Sequence, residues 1–117
     1  MVEALQGMRS AVVLLSGGMD SLVTAAIAAD CCGEINFLHA AYGQRTESKE
    51  RECFDRICEH FHPKRAQVLD LHWLGKIGGS ALTDASITLD LNGESTGIPA
   101  SYVPFRNANL ICAAVSW

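Results

Sequence analysis

Residues 11–21 constrain the fold more than any other stretch, because they read as a strand, a glycine turn and the start of a helix in direct succession. The run at 11–15, Ala-Val-Val-Leu-Leu, is apolar throughout and predicts a short strand buried on both faces. Two glycines follow at 17 and 18, and a helical segment rich in alanine covers about residues 20–31. Because that segment is apolar nearly all round, it predicts a well-buried helix.

The turn between this strand and this helix has the donor geometry of a phosphate site. Its N–H groups converge on one point, and the first helical turn adds unpaired N–H groups and the positive end of the helix dipole. Gly17 and Gly18 allow positive φ and leave no Cβ between backbone and ligand, while the Ser16 and Ser21 hydroxyls can donate hydrogen bonds. A phosphate would repel Asp20, so we expect this carboxylate to hold Mg²⁺ or to cap the helix.

Other phosphate-binding loops fit the sequence less well. The pattern Gly-x-x-x-x-Gly-Lys-Ser/Thr is absent, because no lysine follows the glycines, and residues 17–22 do not match the dinucleotide pattern Gly-x-Gly-x-x-Gly. Ser-Gly-Gly-Met-Asp-Ser at 16–21 instead resembles the pyrophosphate loop, Ser-Gly-Gly-x-Asp-Ser, of the N-type ATP pyrophosphatases. A tight turn without a ligand is the plain alternative, but such a turn needs neither two serines nor an aspartate.

The rest of the chain continues the alternation of strands and helices. A strand at 35–40, a helix at about 46–62 and a strand at 66–71 predict parallel pairing with right-handed crossovers. The fold class is therefore α/β, a Rossmann-like three-layer parallel sheet. Residues 1–10 resemble a loose leader, and 72–101 lack a clear element, which is typical of a substrate-binding or interface loop with a hairpin turn at 92–93.

The last helix ends within an apolar pattern. Asn107 can cap a helix that extends to Trp117, and no glycine or polar tail follows. We therefore expect residues 1–117 to be a single nucleotide-binding domain that is truncated at its carboxyl end, or whose end packs on a partner.

Composition and charge narrow the class of protein. The chain has 117 residues, of which 49% are hydrophobic and 19% charged, and this suits one globular domain. A net charge of −4 argues against a nucleic-acid groove and favours a small-molecule substrate. The sequence contains neither a membrane span nor the apolar core of a signal peptide, so we expect a cytoplasmic protein.

The five cysteines do not form a metal-binding or disulfide pattern. Their number is odd and no Cys-x-x-Cys pair occurs, so we interpret them as small buried apolar side chains in a reducing compartment. They are Cys31, Cys32, Cys53, Cys58 and Cys112.

Two further segments extend the resemblance from a superfamily to a family. Tyr-Gly-Gln-Arg at 42–45 follows the second strand, at the sheet edge where ligands of open α/β sheets bind. Together with the first loop and Tyr-Val-Pro-Phe-Arg-Asn at 102–107, this segment resembles the 7-cyano-7-deazaguanine synthase (QueC, also called ExsB) family of PP-loop proteins. A weaker match is Gly-Ser-Ala-Leu-Thr at 79–83. The second and third segments distinguish this family from NAD synthetases, GMP synthetases and tRNA-thiolating enzymes.

The resemblance implies a domain of the adenine nucleotide alpha hydrolase type in a carbon–nitrogen ligase. Such an enzyme uses ATP, with Mg²⁺, to activate the carboxylate of 7-carboxy-7-deazaguanine, adds ammonia, and dehydrates the amide to the nitrile preQ0 on the route to queuosine. We expect a homodimer with no nucleic-acid or membrane partner. Full-length members also bind a structural Zn²⁺ through four cysteines of a carboxyl-terminal region, and those ligands are not in this chain.

Site roles follow from the resemblance by matched position. The catalytic residues would be Asp20, Arg45 and Arg106, and a guanidinium suits this role because it clamps oxyanions bidentately. The ATP-binding residues would be Leu15, Ser16, Gly17, Gly18, Met19, Asp20 and Ser21. The substrate-binding residues would be Tyr42, Gln44, Arg45, Arg106 and Asn107.

Plainer readings of these residues stay open. Arg45 could pair with Glu47 or Glu50 on its own helix, Arg106 could form a surface salt bridge, and Tyr42 could simply pack. The four histidines, at 39, 60, 62 and 72, read as ordinary structural or surface residues.

Two other functions compete with the ligase. A tRNA sulfurtransferase would want a catalytic cysteine near the loop or a Cys-x-x-Cys pair, together with a basic surface, and these features are missing. A module that binds ATP without turnover is the second alternative.

Overall fold

Three parallel strands form the sheet of the computed structural model, which describes residues 2–77 and 105–117. The strands, in sheet order, are β1 (Ala11–Leu14), β2 (Ile35–Ala41) and β3 (Arg65–Asp70). The helices are α1 (Val2–Leu5), α2 (Met19–Cys31), α3 (Glu47–Phe61), α4 (His72–Ile77) and α5 (Arg106–Ser116). Both strand pairs are parallel, with Val13 opposite Phe37 and Ala40 opposite Leu69. The predicted α/β class with a parallel sheet is confirmed.

Alternate residues of the strands face opposite layers of helices. Val13 and Phe37 pack with Ala25 of α2 and with Phe54 and Ile57 of α3 in the main core. On the other face, Leu14, Leu38 and Ala40 share a cavity with Leu110 of α5. The sheet is thus the middle of three layers, and the carboxyl ends of β1 and β2 open toward one edge.

Burial of the first strand and the first long helix differs from the prediction. Val12 of β1 is 40% exposed, and Leu22 and Val23 of α2 are 41% and 52% exposed. Among the described residues, α2 packs on the sheet through one face only, with Ala25, Ala28 and Cys31 buried. The apolar pattern was therefore a poor guide to burial, because it does not say which faces another element covers.

The loose leader predicted at residues 1–10 is also wrong. Residues 2–5 form the single turn of α1, the Gly7 N–H donates to the Cys31 carbonyl over 3.3 Å, and the Gly33 N–H donates to the Met8 carbonyl over 3.1 Å. These backbone bonds tie the amino-terminal segment to the end of α2.

Two other boundaries need correction. α4 occupies the start of the stretch predicted to be irregular, whereas the rest of that stretch, the hairpin at 92–93, the match at 79–83 and residues 102–104 lie outside the described residues. Asn107 does not cap the last helix, because α5 begins at Arg106 and its N-cap is Phe105 with φ 49°. No helix in the described segments is long and apolar enough to cross a membrane.

The cysteines are all free but not all buried. Cys31 is buried, Cys32, Cys53 and Cys58 are half-buried, and Cys112 is exposed, so the buried reading fails for Cys112. Burial, followed by the nearby Asp55 carboxylate, raises the pKa of the Cys58 thiol. That thiol is therefore less reactive than an ordinary one.

Candidate active site

Gly17 lies at the tightest point of the loop between β1 and α2. Its φ is +82°, in the left-handed region that favours glycine. A Cβ at this position would lie 2.9 Å from the Cys53 Cβ and 3.0 Å from the Glu50 carbonyl oxygen, so the loop contacts the backbone of α3 directly. Gly18 has φ −83°, and the prediction that both glycines need positive φ is wrong for it.

The two serines hold the loop in shape. The Gly18 N–H donates to Ser16 Oγ over 3.3 Å, Ser16 Oγ donates to Ser21 Oγ over 3.3 Å, and the Ser21 hydroxyl donates to the Gly18 carbonyl over 2.9 Å. The first bond within α2 runs from the Leu22 N–H to the Gly18 carbonyl. The N–H groups of residues 19–21 therefore lack a helical carbonyl, and they form the donor set that an anion at a helix N-terminus uses.

Asp20 lies in the first turn of α2 and is exposed. The N-cap of the helix is Gly18, so the capping role considered for Asp20 is wrong, and its role toward a cation stays a prediction. No group of three His, Cys, Asp or Glu side chains in the described ranges could hold a metal ion. One carboxylate is nevertheless enough for Mg²⁺, which usually keeps several waters and binds substrate phosphates.

The turn at 42–45 is built around the Gln44 side chain. Gln44 is 5% exposed, its Oε1 accepts from the Tyr42 N–H over 2.9 Å, and its Nε2 donates to the Ala40 carbonyl and to Glu50 Oε2. Because these bonds use both ends of the amide, Gln44 supports the turn rather than the cavity wall. Arg45 is exposed and does not line the cavity.

His72 joins this turn to the end of β3. Its Nδ1 lies 2.5 Å from Asp70 Oδ1, and its Nε2 lies 3.1 Å from the Glu47 carboxylate, which also accepts from the Gly43 N–H. The hydrogen bond with Asp70, and after it the Glu47 charge, raise the pKa of His72, while the bonds from His72 lower the pKa of Asp70.

We expect this cluster to make stability depend on pH. Protonated His72 stabilises the fold below its unfolded pKa of about 6.5, and that contribution is lost as pH rises through the raised folded pKa. Urea midpoints of wild type and His72→Gln should therefore differ near pH 5 to 6 and converge near pH 9. Asp70→Asn should show the same loss of pH dependence. The effect should be small because His72 is exposed, and a difference that is constant across pH would contradict this assignment.

Arg106 at the start of α5 reaches the turn from the far end of the chain. Its Nη1 donates to the Tyr42 hydroxyl over 3.5 Å, its guanidinium carbon lies 6.0 Å from the centre of the Tyr42 ring, and its Nε donates to Asn107 Oδ1 over 3.3 Å. Tyr42 itself is buried and packs with Leu74. The packing role considered for Tyr42 therefore holds, and it coexists with the contact to Arg106.

A cavity of about 410 Å³ brings the predicted segments together at the carboxyl ends of β1 and β2. Predicted site residues in its wall are Leu15, Ser16, Tyr42, Arg106 and Asn107. Its size is in the range of small-molecule sites. Leu14, Leu38 and Leu110 supply apolar surface, and the phosphate loop borders the cavity at Ser16.

Sequence reasoning missed two residues of this wall, His39 and Glu50. Both belong to patterns with a plain explanation, His39 to an apolar strand and Glu50 to a charged helix face. The available signal was position, because His39 lies near the carboxyl end of β2 and Glu50 in the first turn of α3.

The model of the family described as queuosine biosynthesis protein QueC matches residues 10–117. The chain belongs to this family. A 7-cyano-7-deazaguanine synthase of Chlorobaculum parvum is 54% identical over 110 residues, which cover 92% of this chain and 48% of that protein. Synthases of the same name from Chlorobium chlorochromatii and Methanoculleus marisnigri are 52% and 48% identical, over 92% and 93% of the chain and 47% and 50% of the relative.

Membership of the QueC family confirms the resemblance seen in the three sequence segments. The chain spans about half the length of the curated relatives it matches. The matched half includes the phosphate loop, the turn at 42–45 and the start of α5, so the cavity described above is built entirely from residues that the family model covers.

Proposed function

We propose that this chain supplies the ATP-binding half of the active site of a 7-cyano-7-deazaguanine synthase. The observation that carries the proposal is the cavity that joins Ser16 of the phosphate loop to Tyr42 and to Arg106. The curated relatives carry the name of this activity. Residues 1–117 are then one PP-loop nucleotide-binding domain.

The reaction converts a carboxylate and ammonium into a nitrile and two molecules of water, RCOO⁻ + NH₄⁺ → RCN + 2 H₂O. A carboxylate oxygen attacks a phosphorus atom of ATP, a new O–P bond forms, and the bond from phosphorus to the leaving phosphate oxygen breaks. Ammonia then attacks the carbonyl carbon and the phosphorylated oxygen leaves, giving an amide. Loss of the amide oxygen, with two protons leaving nitrogen, gives the nitrile. Since every oxygen departs as a poor leaving group unless it is activated, the demand for ATP follows.

Each part of the site suits one demand of this chemistry. The unpaired N–H groups of residues 19–21 and the N-terminal dipole of α2 suit the triphosphate. Arg106 is half-buried beside Tyr42, where a guanidinium can stabilise negative charge that develops on the reacting carboxylate or phosphate. Arg45 and Asn107 are proposed substrate contacts, and Gln44 is proposed to act by shaping the turn that carries them.

Two metals are part of the family pattern. Mg²⁺, when bound, would neutralise phosphate charge, and Asp20 is the residue proposed to hold it. For Zn²⁺ we propose no ligand in this chain, because the five cysteines do not cluster in the described residues. The homodimer, the cytoplasmic location and the lack of a nucleic-acid partner stay predictions.

Turnover by the full-length protein tests the proposal. Purified protein supplied with ATP, Mg²⁺, ammonia and 7-carboxy-7-deazaguanine should form preQ0, followed by mass spectrometry. Asp20→Ala should lower the rate by about 100-fold and raise the Mg²⁺ concentration needed for half-maximal rate. Asp30→Ala, at an exposed position of the same helix, is the matched control and should leave the rate unchanged. A protein that binds ATP but makes no preQ0 would overturn the ligase assignment and favour a binding module.

A further inference from the structure

A buried nitrogen in the wall of the cavity has no hydrogen-bond partner. His39 is 1% exposed, its Nδ1 lies 2.7 Å from the Leu15 carbonyl oxygen, and its Nε2 is buried without a partner. A carbonyl oxygen can only accept, so Nδ1 carries the proton. In the neutral ring Nε2 is then an acceptor.

The imidazole ring is held in this orientation from two sides. It stacks on Phe54 of α3 with ring centroids 5.3 Å apart and an interplanar angle of 29°. The bond to Leu15 fixes the ring in its own plane, because a flip would place a carbon atom against the carbonyl. The unpaired Nε2 is therefore a stable feature of the fold and not one rotamer among several.

Buried polar atoms nearly always have a partner, so an unpaired acceptor beside a cavity points to a donor on a ligand. The cavity has apolar walls at Leu14, Leu38 and Leu110, which suit the flat faces of a fused ring. The phosphate loop borders it at Ser16, and Arg106 at the other side. An aromatic base with N–H groups at its edge matches both the apolar walls and the acceptor.

We propose that His39 is a specificity-determining residue whose Nε2 accepts a hydrogen bond from an N–H of a purine-type base in the cavity. This inference rests on the proposed function, which supplies two such bases, the adenine of ATP and the 7-deazaguanine of the second substrate. Nε2 is closed to solvent, so the base displaces part of the wall to reach it. In exchange, the base gives the acceptor the partner that water does not.

Two substitutions separate the ring nitrogens. In His39→Asn the side-chain amide lies near the Nδ1 position and can still donate to the Leu15 carbonyl, but the Nε2 acceptor is removed. In His39→Gln the longer side chain brings an amide oxygen near the Nε2 position. Calorimetric titration of the full-length protein would measure the Kd of ATP and of purine riboside 5′-triphosphate, which lacks the 6-amino group. A second arm would compare 7-carboxy-7-deazaguanine with the same acid without its 2-amino group.

The wild type should discriminate within one of these pairs by about tenfold, and the pair identifies the base that His39 reads. His39→Asn should lose that discrimination while melting within a few degrees of wild type, and His39→Gln should recover part of it. Equal affinity within both pairs for the wild type, or discrimination that survives in His39→Asn, would overturn the inference. Weaker binding of every ligand by the same factor in both variants would show a packing role only. If the wild type binds neither ATP nor the acid, the proposed function fails as well, so the two failures are distinguishable.

Discussion

Replacing Gly17 with alanine is expected to lower the free energy of unfolding by about 3 kcal/mol and to abolish ATP binding. Its φ of +82° costs an alanine strain, and the new Cβ would lie 2.9 Å from the Cys53 Cβ and 3.0 Å from the Glu50 carbonyl oxygen. One of these atoms is backbone of α3, so relief requires the loop or the helix to move. Urea unfolding and nucleotide titration of the same preparation would measure both effects.

Two other glycines provide matched controls for this substitution. Gly7 has φ +81° with open space around it, so Gly7→Ala should show the strain alone, about 1 kcal/mol. Gly18 has φ −83° and meets only Ser16 Oγ at 3.4 Å, so Gly18→Ala should fold with nearly wild-type stability. If Gly17→Ala is no less stable than Gly7→Ala, the close approach of the loop to α3 does not constrain the site.

Arg106→Ala is expected to lower the rate of preQ0 formation by about 100- to 1000-fold, because it removes a charged donor from the cavity. Arg106→Lys should recover little of the rate, since an ammonium group cannot replace a planar bidentate donor. Stability should change much less than activity, because the bond from Arg106 to the Tyr42 hydroxyl is long, at 3.5 Å. The measurement is steady-state turnover, with melting temperatures recorded for each variant.

Arg51 offers the matched control for this arginine. It is exposed on α3, pairs with Asp55 at 3.1 Å and lies outside the cavity, so Arg51→Ala should leave the rate unchanged. Tyr42→Phe removes the hydroxyl that accepts from Arg106 but keeps the buried ring, and should cost only a few-fold in rate. A rate for Arg106→Ala within a few-fold of wild type would remove this residue from the catalytic set.

Elements with a strong local pattern were predicted well. The order from β1 to β3 is as expected, and α3 was predicted at 46–62 and is observed at Glu47–Phe61. Amphipathic periodicity and a proline after the helix specify such an element without reference to the rest of the chain. Capping was predicted less well, since Phe105 and not Asn107 precedes α5, and no local rule favours a bulky residue with φ 49°.

The candidate site divides between sequence and tertiary structure. The sequence by itself determined the phosphate loop, the parallel α/β class and the family, because glycine and serine spacing and hydrophobic periodicity are local properties of the chain. Only the tertiary structure decided that Arg106 contacts Tyr42, that Gln44 turns inward to Glu50, and that His39 leaves one nitrogen unpaired at the cavity wall. These contacts join residues on separate elements, and their geometry depends on how helices cross the sheet, which no local pattern encodes.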